Sequence, residues 1–177
     1  MTMNLSDVKI REATIADTNL LANLGAKTFS DTFAHQNTEE NMSAYLKETF
    51  TVEKISEDIK DISSIFLIAF ENKEAIGYAK LKRNSTKKEL QNSKAMEIER
   101  IYILQKAIGK GIGKLLMGKC FAIAVAEDFE AIWLGVSEHN HVAILFYKKF
   151  GFETFGSHIF KLGNDNQTDL LMKRALK

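Results

Sequence analysis

Residues 97–116 read Glu97-Ile-Glu-Arg-Ile-Tyr-Ile-Leu-Gln-Lys-Ala-Ile-Gly-Lys-Gly-Ile-Gly-Lys-Leu-Leu, and this stretch decides the fold. The apolar run to Leu104 predicts a buried strand over 96–104, and a helical periodicity follows from 110 to 127. Between them lie Gly109, Gly111 and Gly113. Glycines at a helix start let backbone N–H groups approach a ligand closely, where the helix offers unpaired donors and partial positive charge. The guest such a loop suits is a pyrophosphate. A dinucleotide fingerprint would need a further glycine at 114, which is Lys114. Residues 113–119 do spell a Walker-type spacing, but Cys120 stands where a Ser or Thr must hold magnesium. A plain tight turn needs fewer glycines than these three.

Working outward, strand and helix signals alternate. A weak strand at 8–13 precedes a helix that Asp17 can cap. Thr38 with Glu39 and Glu40, and then Thr51, mark two more helix starts. Strands at 65–70 and 75–81 are joined by polar residues 71–74, a hairpin connection. Residues 84–94 read as a polar loop, free to move. A strand at 132–136, a helix at 141–150 and strand-like segments at 152–155 and 169–172 complete an α/β (α+β) pattern around a mixed sheet.

The chain has 177 residues, 45% of them hydrophobic, so 1–177 is expected to form a single domain. With 24 basic against 23 acidic residues there is no charged tail, and nothing calls for nucleic acid. Apolar runs fall short of the ~20 residues of a membrane span, and the N-terminal residues lack a secretory pattern. A soluble, cytoplasmic protein is expected. The lone Cys120 excludes an intrachain disulfide and reads as a packed thiol. His139 and His141 lack a third ligand at sensible spacing, so no metal is expected.

The loop resembles the GNAT acetyltransferase superfamily, whose motif Arg/Gln-x-x-Gly-x-Gly/Ala binds the pyrophosphate of CoA. Gly111 and Gly113 match it, while Ile108 takes the place of the usual Arg or Gln. Residues 140–152 are similar to the family's Asn-x-x-Ala-x-x-Phe-Tyr-x-Lys-x-Gly-Phe, with Asn140, Ala143, Phe146, Tyr147, Lys149, Gly151 and Phe152 in register. The resemblance implies a GNAT fold, a largely antiparallel sheet of about six or seven strands flanked by helices, with splayed strands that admit acetyl-CoA as cosubstrate. It assigns CoA contacts to Ile108, Gly109, Lys110, Gly111, Ile112, Gly113 and Lys114, and to Asn140, Tyr147 and Lys149. It pairs the pantetheine arm with backbone near Ile101, Tyr102 and Ile103, where an N–H can also stabilise an oxyanion. Tyr147 would protonate the departing thiolate in a direct transfer within a ternary complex. Read without the family, Asn140 is equally an N-cap and Tyr147 equally a core aromatic. The family also allows a homodimer.

Acetyl transfer needs a neutral amine, so a base must take its proton. Glu97 and Glu99 sit in an apolar strand before the loop, where burial would raise a carboxylate pKa. Glu97 is the first candidate, by its family-like offset from Gly111, and Glu99 the alternate on the same face. Either could instead be a solvated edge glutamate. Residues 27–46 are similar to PaiA-like spermidine/spermine N-acetyltransferases, which implies a small amine such as a polyamine. Asp31, Glu39 and Glu40 could face such a cation or simply serve as helix-cap carboxylates. A CoA-binding regulatory module, an acetyltransferase for peptide N-termini or amino acids, and a nucleotide-binding protein are the other readings.

Overall fold

Strand signals from both ends of the chain converge on one sheet in the computed structural model, which describes residues 7–85, 87–90 and 93–177. The strands are β1 (Val8–Glu12), β2 (Ser64–Glu71), β3 (Glu74–Lys82), β4 (Ala95–Ile103), β5 (Ala131–Ser137), β6 (Glu153–Leu162) and β7 (Asp165–Ala175). Among the described residues they lie in the order β1-β2-β3-β4-β5-β7-β6. Neighbours run antiparallel except β4 beside β5. Helices α1 (Thr18–Phe33), α2 (Glu39–Thr49) and α3 (Val52–Lys60) cover one face, and α4 (Ile112–Ala126) with α5 (His141–Lys149) cover the other. In β2, Ile65, Leu67 and Ala69 enter the α4–α5 core while Phe66 and Ile68 enter the α1–α3 core. Cover on both faces is why this strand reads as an unbroken apolar run.

Local chemistry sets the boundaries. Thr38 and Thr51 cap α2 and α3 by accepting from the backbone N–H groups of Asn41 and Lys54 at 3.2 and 3.1 Å. The β2–β3 turn is tighter than the expected connection: Asn72 and Lys73 alone make it, with φ of 47° and 74°. α4 starts at Ile112, two residues later than its periodicity suggests, because Gly111 at φ 85° is its N-cap. The expectation of a free loop at 84–94 is corrected on its described residues. Leu90 is buried with Trp133, and Lys87 Nζ sits 5.4 Å over the Trp133 ring. Thr86, Gln91 and Asn92 lie outside the described residues. The last two strands are far longer than the segments read at 152–155 and 169–172, since most of the β6–β7 ribbon is only half buried and lacks an apolar run.

One irregularity in β4 organises the site. Lys80 pairs with Arg100 while the next residue, Leu81, pairs with Ile98, so Glu99 is an extra residue in a β-bulge. Ile98 and Ile101, three apart, therefore both enter the α4–α5 core. Glu99 and Arg100 both turn to the α1–α3 face, where Lys80 Nζ donates to Glu99 Oε1 at 2.8 Å and the Arg100 guanidinium lies 4.8 Å over the Phe50 ring. Lys80 also donates to Asp58 Oδ2 at 2.6 Å, and Lys54 to Asp58 Oδ1 at 3.0 Å, which makes a charge ladder from the surface of α3 to β4. Burial works against the Asp58 charge, but Lys80 and Lys54 outweigh it and hold its pKa below the usual value.

The Lys80 side chain is 3% exposed, and removing one member of such a group strands the others. Lys80→Met is expected to lose about 3–5 kcal/mol in urea unfolding, whereas Lys54→Met, at the open end of the ladder, should lose under about 1 kcal/mol.

Candidate active site

β4 and β5 pair only through Ala95↔Ala131, Met96↔Ile132 and Glu97↔Trp133. Beyond that rung β5 stays with β7 as far as Ser137, and β4 stays with β3 as far as Ile103. Their facing edges part and leave unpaired backbone. Leu104 donates its N–H to Ile76 of β3 at 2.9 Å. By alternation Tyr102 also turns to β3, while Ile101 and Ile103 present N–H and C=O to the gap. The expectation for Tyr102 is thus corrected: its backbone is committed to the sheet, and its ring packs against Phe29 and Phe33 at 6.1 and 6.3 Å.

The glycine loop lies at the α4 end of β4. No side chain caps α4, unlike α2, α3 and α5, so its first N–H groups remain available to an anion. The three glycines do different work. Gly109 and Gly111 have φ of 78° and 85°, conformations that L side chains resist. Gly113 instead lets α4 pack closely, since a Cβ there would stand 3.2 Å from both Ile103 Cδ1 and Phe146 Cζ. Ile112 is buried in the core, so only its N–H can serve a ligand. Ile108, Lys110, Lys114 and Lys149 are exposed.

On α5, Asn140 Oδ1 accepts from Ala143 N at 3.1 Å, which is the N-cap role, and this leaves its amide NH2 free of that duty. Tyr147 is buried between α4 and the sheet, its ring 5.5 Å from Phe146 and 5.8 Å from Phe152. Burial pushes its phenol well above the ordinary value, so it keeps its proton at any physiological pH and suits a donor rather than a base. Cys120 is fully buried in α4 and burial raises its thiol to about 12, which disqualifies it as a nucleophile.

The other face of the gap carries the carboxylates. Glu97 stands on the last paired rung, and burial, with Glu99 nearby, raises its pKa against the Ser85 hydroxyl and the charges of Lys87 and Lys80. Glu99 shares that face, but its Oε1 already accepts from Lys80 and lies 3.3 Å from Arg100 Nη2. A carboxylate so engaged has little left to offer an incoming proton. Among the described residues, Arg100 Nη1 and the Tyr78 hydroxyl are buried there without a hydrogen-bond partner. Glu39 and Glu40 are exposed in the first turn of α2, as helix-cap carboxylates would be, whereas Asp31 lies in the last turn of α1 and is paired with Lys27.

Residues 28–152 match the model of the acetyltransferase (GNAT) family. An N-acetyltransferase from the pepI 3' region of Lactobacillus delbrueckii subsp. lactis is 34% identical over 97% of this chain and 99% of its own length. This chain belongs to the GNAT acetyltransferase family. It is an N-acetyltransferase by that membership. A spermidine N(1)-acetyltransferase of Thermoplasma acidophilum is 27% identical over 94% of this chain and 96% of its own. Among solved structures, the PaiA N-acetyltransferase of the same organism in complex with coenzyme A superposes with a TM-score of 0.78, at 24% identity over 95% and 98% of the two chains.

Some features of this acetyltransferase were not visible in its motifs. His158 and Asp169 pair across β6 and β7, strands whose sequence carries no chemical signature, and Lys87 meets His158 from the β3–β4 loop. A surface depression of about 930 Å3 lies elsewhere, beside exposed Lys9, Arg11, Lys73 and Lys119. The residues with the family's motifs do not line it. In this acetyltransferase Gly111→Val should leave a folded protein, by circular dichroism, with CoA affinity in calorimetry reduced more than about 100-fold, because the variant cannot hold φ 85°.

Proposed function

We infer that the protein transfers the acetyl group of acetyl-CoA to a primary amine of a small acceptor, a polyamine such as spermidine, by direct transfer in a ternary complex. The observation that carries this reading is the unpaired gap between β4 and β5, with an uncapped, glycine-turned helix start on one side and a raised carboxylate on the other. The donors at the start of α4, with Gly109 and Gly111, would hold the pyrophosphate, aided by Lys110, Lys114 and Lys149. Backbone groups of Ile101 and Ile103 would pair with the pantetheine arm. Acetyl-CoA, when bound, supplies the thioester carbonyl.

Glu97 takes the proton of the acceptor ammonium, directly or through one water, so that the nitrogen lone pair is free to form the new C–N bond. The C–S bond breaks as the tetrahedral adduct collapses, and the second N–H proton, acidic once the nitrogen is bonded to carbon, passes through water to restore the Tyr147 phenol. Tyr147 gives its proton to the leaving sulfur, a role that suits a phenol whose burial keeps it protonated. The polyamine assignment draws on the Thermoplasma relative and on the PaiA-like pattern at 27–46. The reading as a regulatory CoA module has less support, because the chain carries both a carboxylate with a raised pKa at Glu97 and a phenol kept protonated at Tyr147.

Turnover should rise with pH through the ionisation of Glu97, because its neutral form cannot accept a proton. In pre-steady-state and pH-rate measurements, Glu97→Gln should remove that limb and lower kcat by about 100-fold, with acetyl-CoA affinity close to wild type. Tyr147→Phe is expected to cost a similar factor in kcat and little in KM. Wild-type turnover in it would reduce Tyr147 to a packing residue. An amine screen that included peptides and amino acids and found polyamines inert would discard the acceptor and leave the family chemistry.

A further inference from the structure

On the α1–α3 face, the fold leaves one carboxylate uncompensated. Asp169 of β7 lies opposite Ser137 of β5 and His158 of β6. A Cβ on Gly135 would meet Asp169 Oδ2 at 3.5 Å and His158 Nε2 at 3.4 Å, so the carboxylate leans across β5, the strand that borders the gap. Its side chain is 16% exposed, and among the described residues its nearest charged partner is His158 Nε2, 3.7 Å away and beyond hydrogen-bond range.

His158 cannot neutralise it. Lys87 Nζ lies 3.1 Å from His158 Nδ1, and an ammonium only donates, so the imidazole proton sits on Nε2 and faces Asp169. Burial, with Lys87 nearby, lowers the His158 pKa and keeps the ring neutral at pH 7. The result is an oriented dipole beside a mostly buried carboxylate, which costs the fold stability unless a cation arrives. Burial alone pushes Asp169 up to about 6.

The surroundings suit an alkylammonium. Tyr45 of α2 stacks on Phe29 at 4.5 Å and meets Phe160 edge-on at 5.6 Å, and the charges of Arg100, Glu99 and Asp169 all reach its hydroxyl. Aromatic faces and a carboxylate are the two groups that attract an organic cation with an apolar stem. Gly135 is one strand across and two residues along from the Glu97 rung, roughly 8 Å away. Glu97 and Asp169 thus lie on one face of the sheet, with the Lys87 ammonium close to Glu97 and 3.1 Å from His158.

We propose that Asp169 is the carboxylate that receives the acceptor's ammonium group and sets its position beside the gap, with His158 and Lys87 holding it in place. The assignment rests on the acceptor reading above and divides the labour: Asp169 binds, Glu97 takes the proton. A Cβ on Gly135 would stand in ordinary contact with both His158 and the carboxylate, which places the two side chains over β5.

Primary alkylamines from butylamine to spermidine provide the test, with KM from turnover and Kd from calorimetry on the CoA-bound enzyme. Asp169→Asn should raise amine KM and Kd at least 10-fold while acetyl-CoA affinity stays within twofold, and Asp169→Glu should recover part of the loss. Wild-type amine affinity should strengthen as pH rises through about 6, a dependence absent from Asp169→Asn. His158 on β6 faces Asp169, Lys87 lies behind that ring, and Tyr45 on α2 feels the charges of Asp169, Glu99 and Arg100 together, and variants at 169 leave all of these groups in place. A folded pKa above the unfolded 3.8 means that the ionised group weakens the fold, fully above about pH 6 and not at all below about 4. Without ligand, Asp169→Asn should therefore melt higher than wild type at pH 8 and at the same temperature at pH 4. Amine affinity within twofold of wild type in Asp169→Asn overturns the assignment alone, as does equal loss of acetyl-CoA binding. A wild type that binds none of these amines overturns both the assignment and the acceptor class.

Discussion

The parallel pairing of β4 with β5 stops after Glu97 and Trp133, and the rest of the site depends on that stop. Each strand is held on its far side, β4 by β3 and β5 by β7, so neither can follow the other past this rung. The bulge at Glu99 adds twist to β4 just where pairing ends. What results is a slot through the middle of the sheet, with free backbone on one edge and a different chemistry on each face.

The two faces differ because their helices differ. On one side α4 offers an uncapped start and α5 brings Tyr147 into the core. On the other, α1–α3 enclose an aromatic cluster into which the sheet projects charged groups. Those charges are not equivalent. Asp58, Lys80, Glu99 and Arg100 largely satisfy one another, and they hold β4 against α3. Glu97 and Asp169 are left less compensated, and burial raises the pKa of both. An enzyme that must accept a cation and take its proton needs carboxylates of the second kind, even at a cost in stability.

The sheet, the glycine turn before α4 and the cap of α5 were legible in the chain because their signals are local. Caps at Thr38 and Thr51, the apolar runs of β2 and β3, the glycines before α4 and the run 140–152 each specify conformation within a few residues. Even so, local reading merged two functions of the glycines: Gly111 sets a backbone angle, whereas Gly113 makes room for Ile103 and Phe146, which lie far away in sequence.

The sequence by itself determined the mixed α/β fold and the family, since hydrophobic period and glycine placement act over short range and survive any tertiary context. It also placed Glu97 and Glu99 on one face. Only the tertiary structure made them different, because Lys80 and Arg100 are brought to Glu99 by a bulge that no residue type announces. Likewise, nothing near Asp169 or His158 in the chain marks them as more than a polar ribbon. Their neighbours are decided only when β6 and β7 fold back beside β5, where Asp169 and His158 meet over Gly135. Electrostatic environment is a sum over spatial neighbours, and sequence order does not contain it.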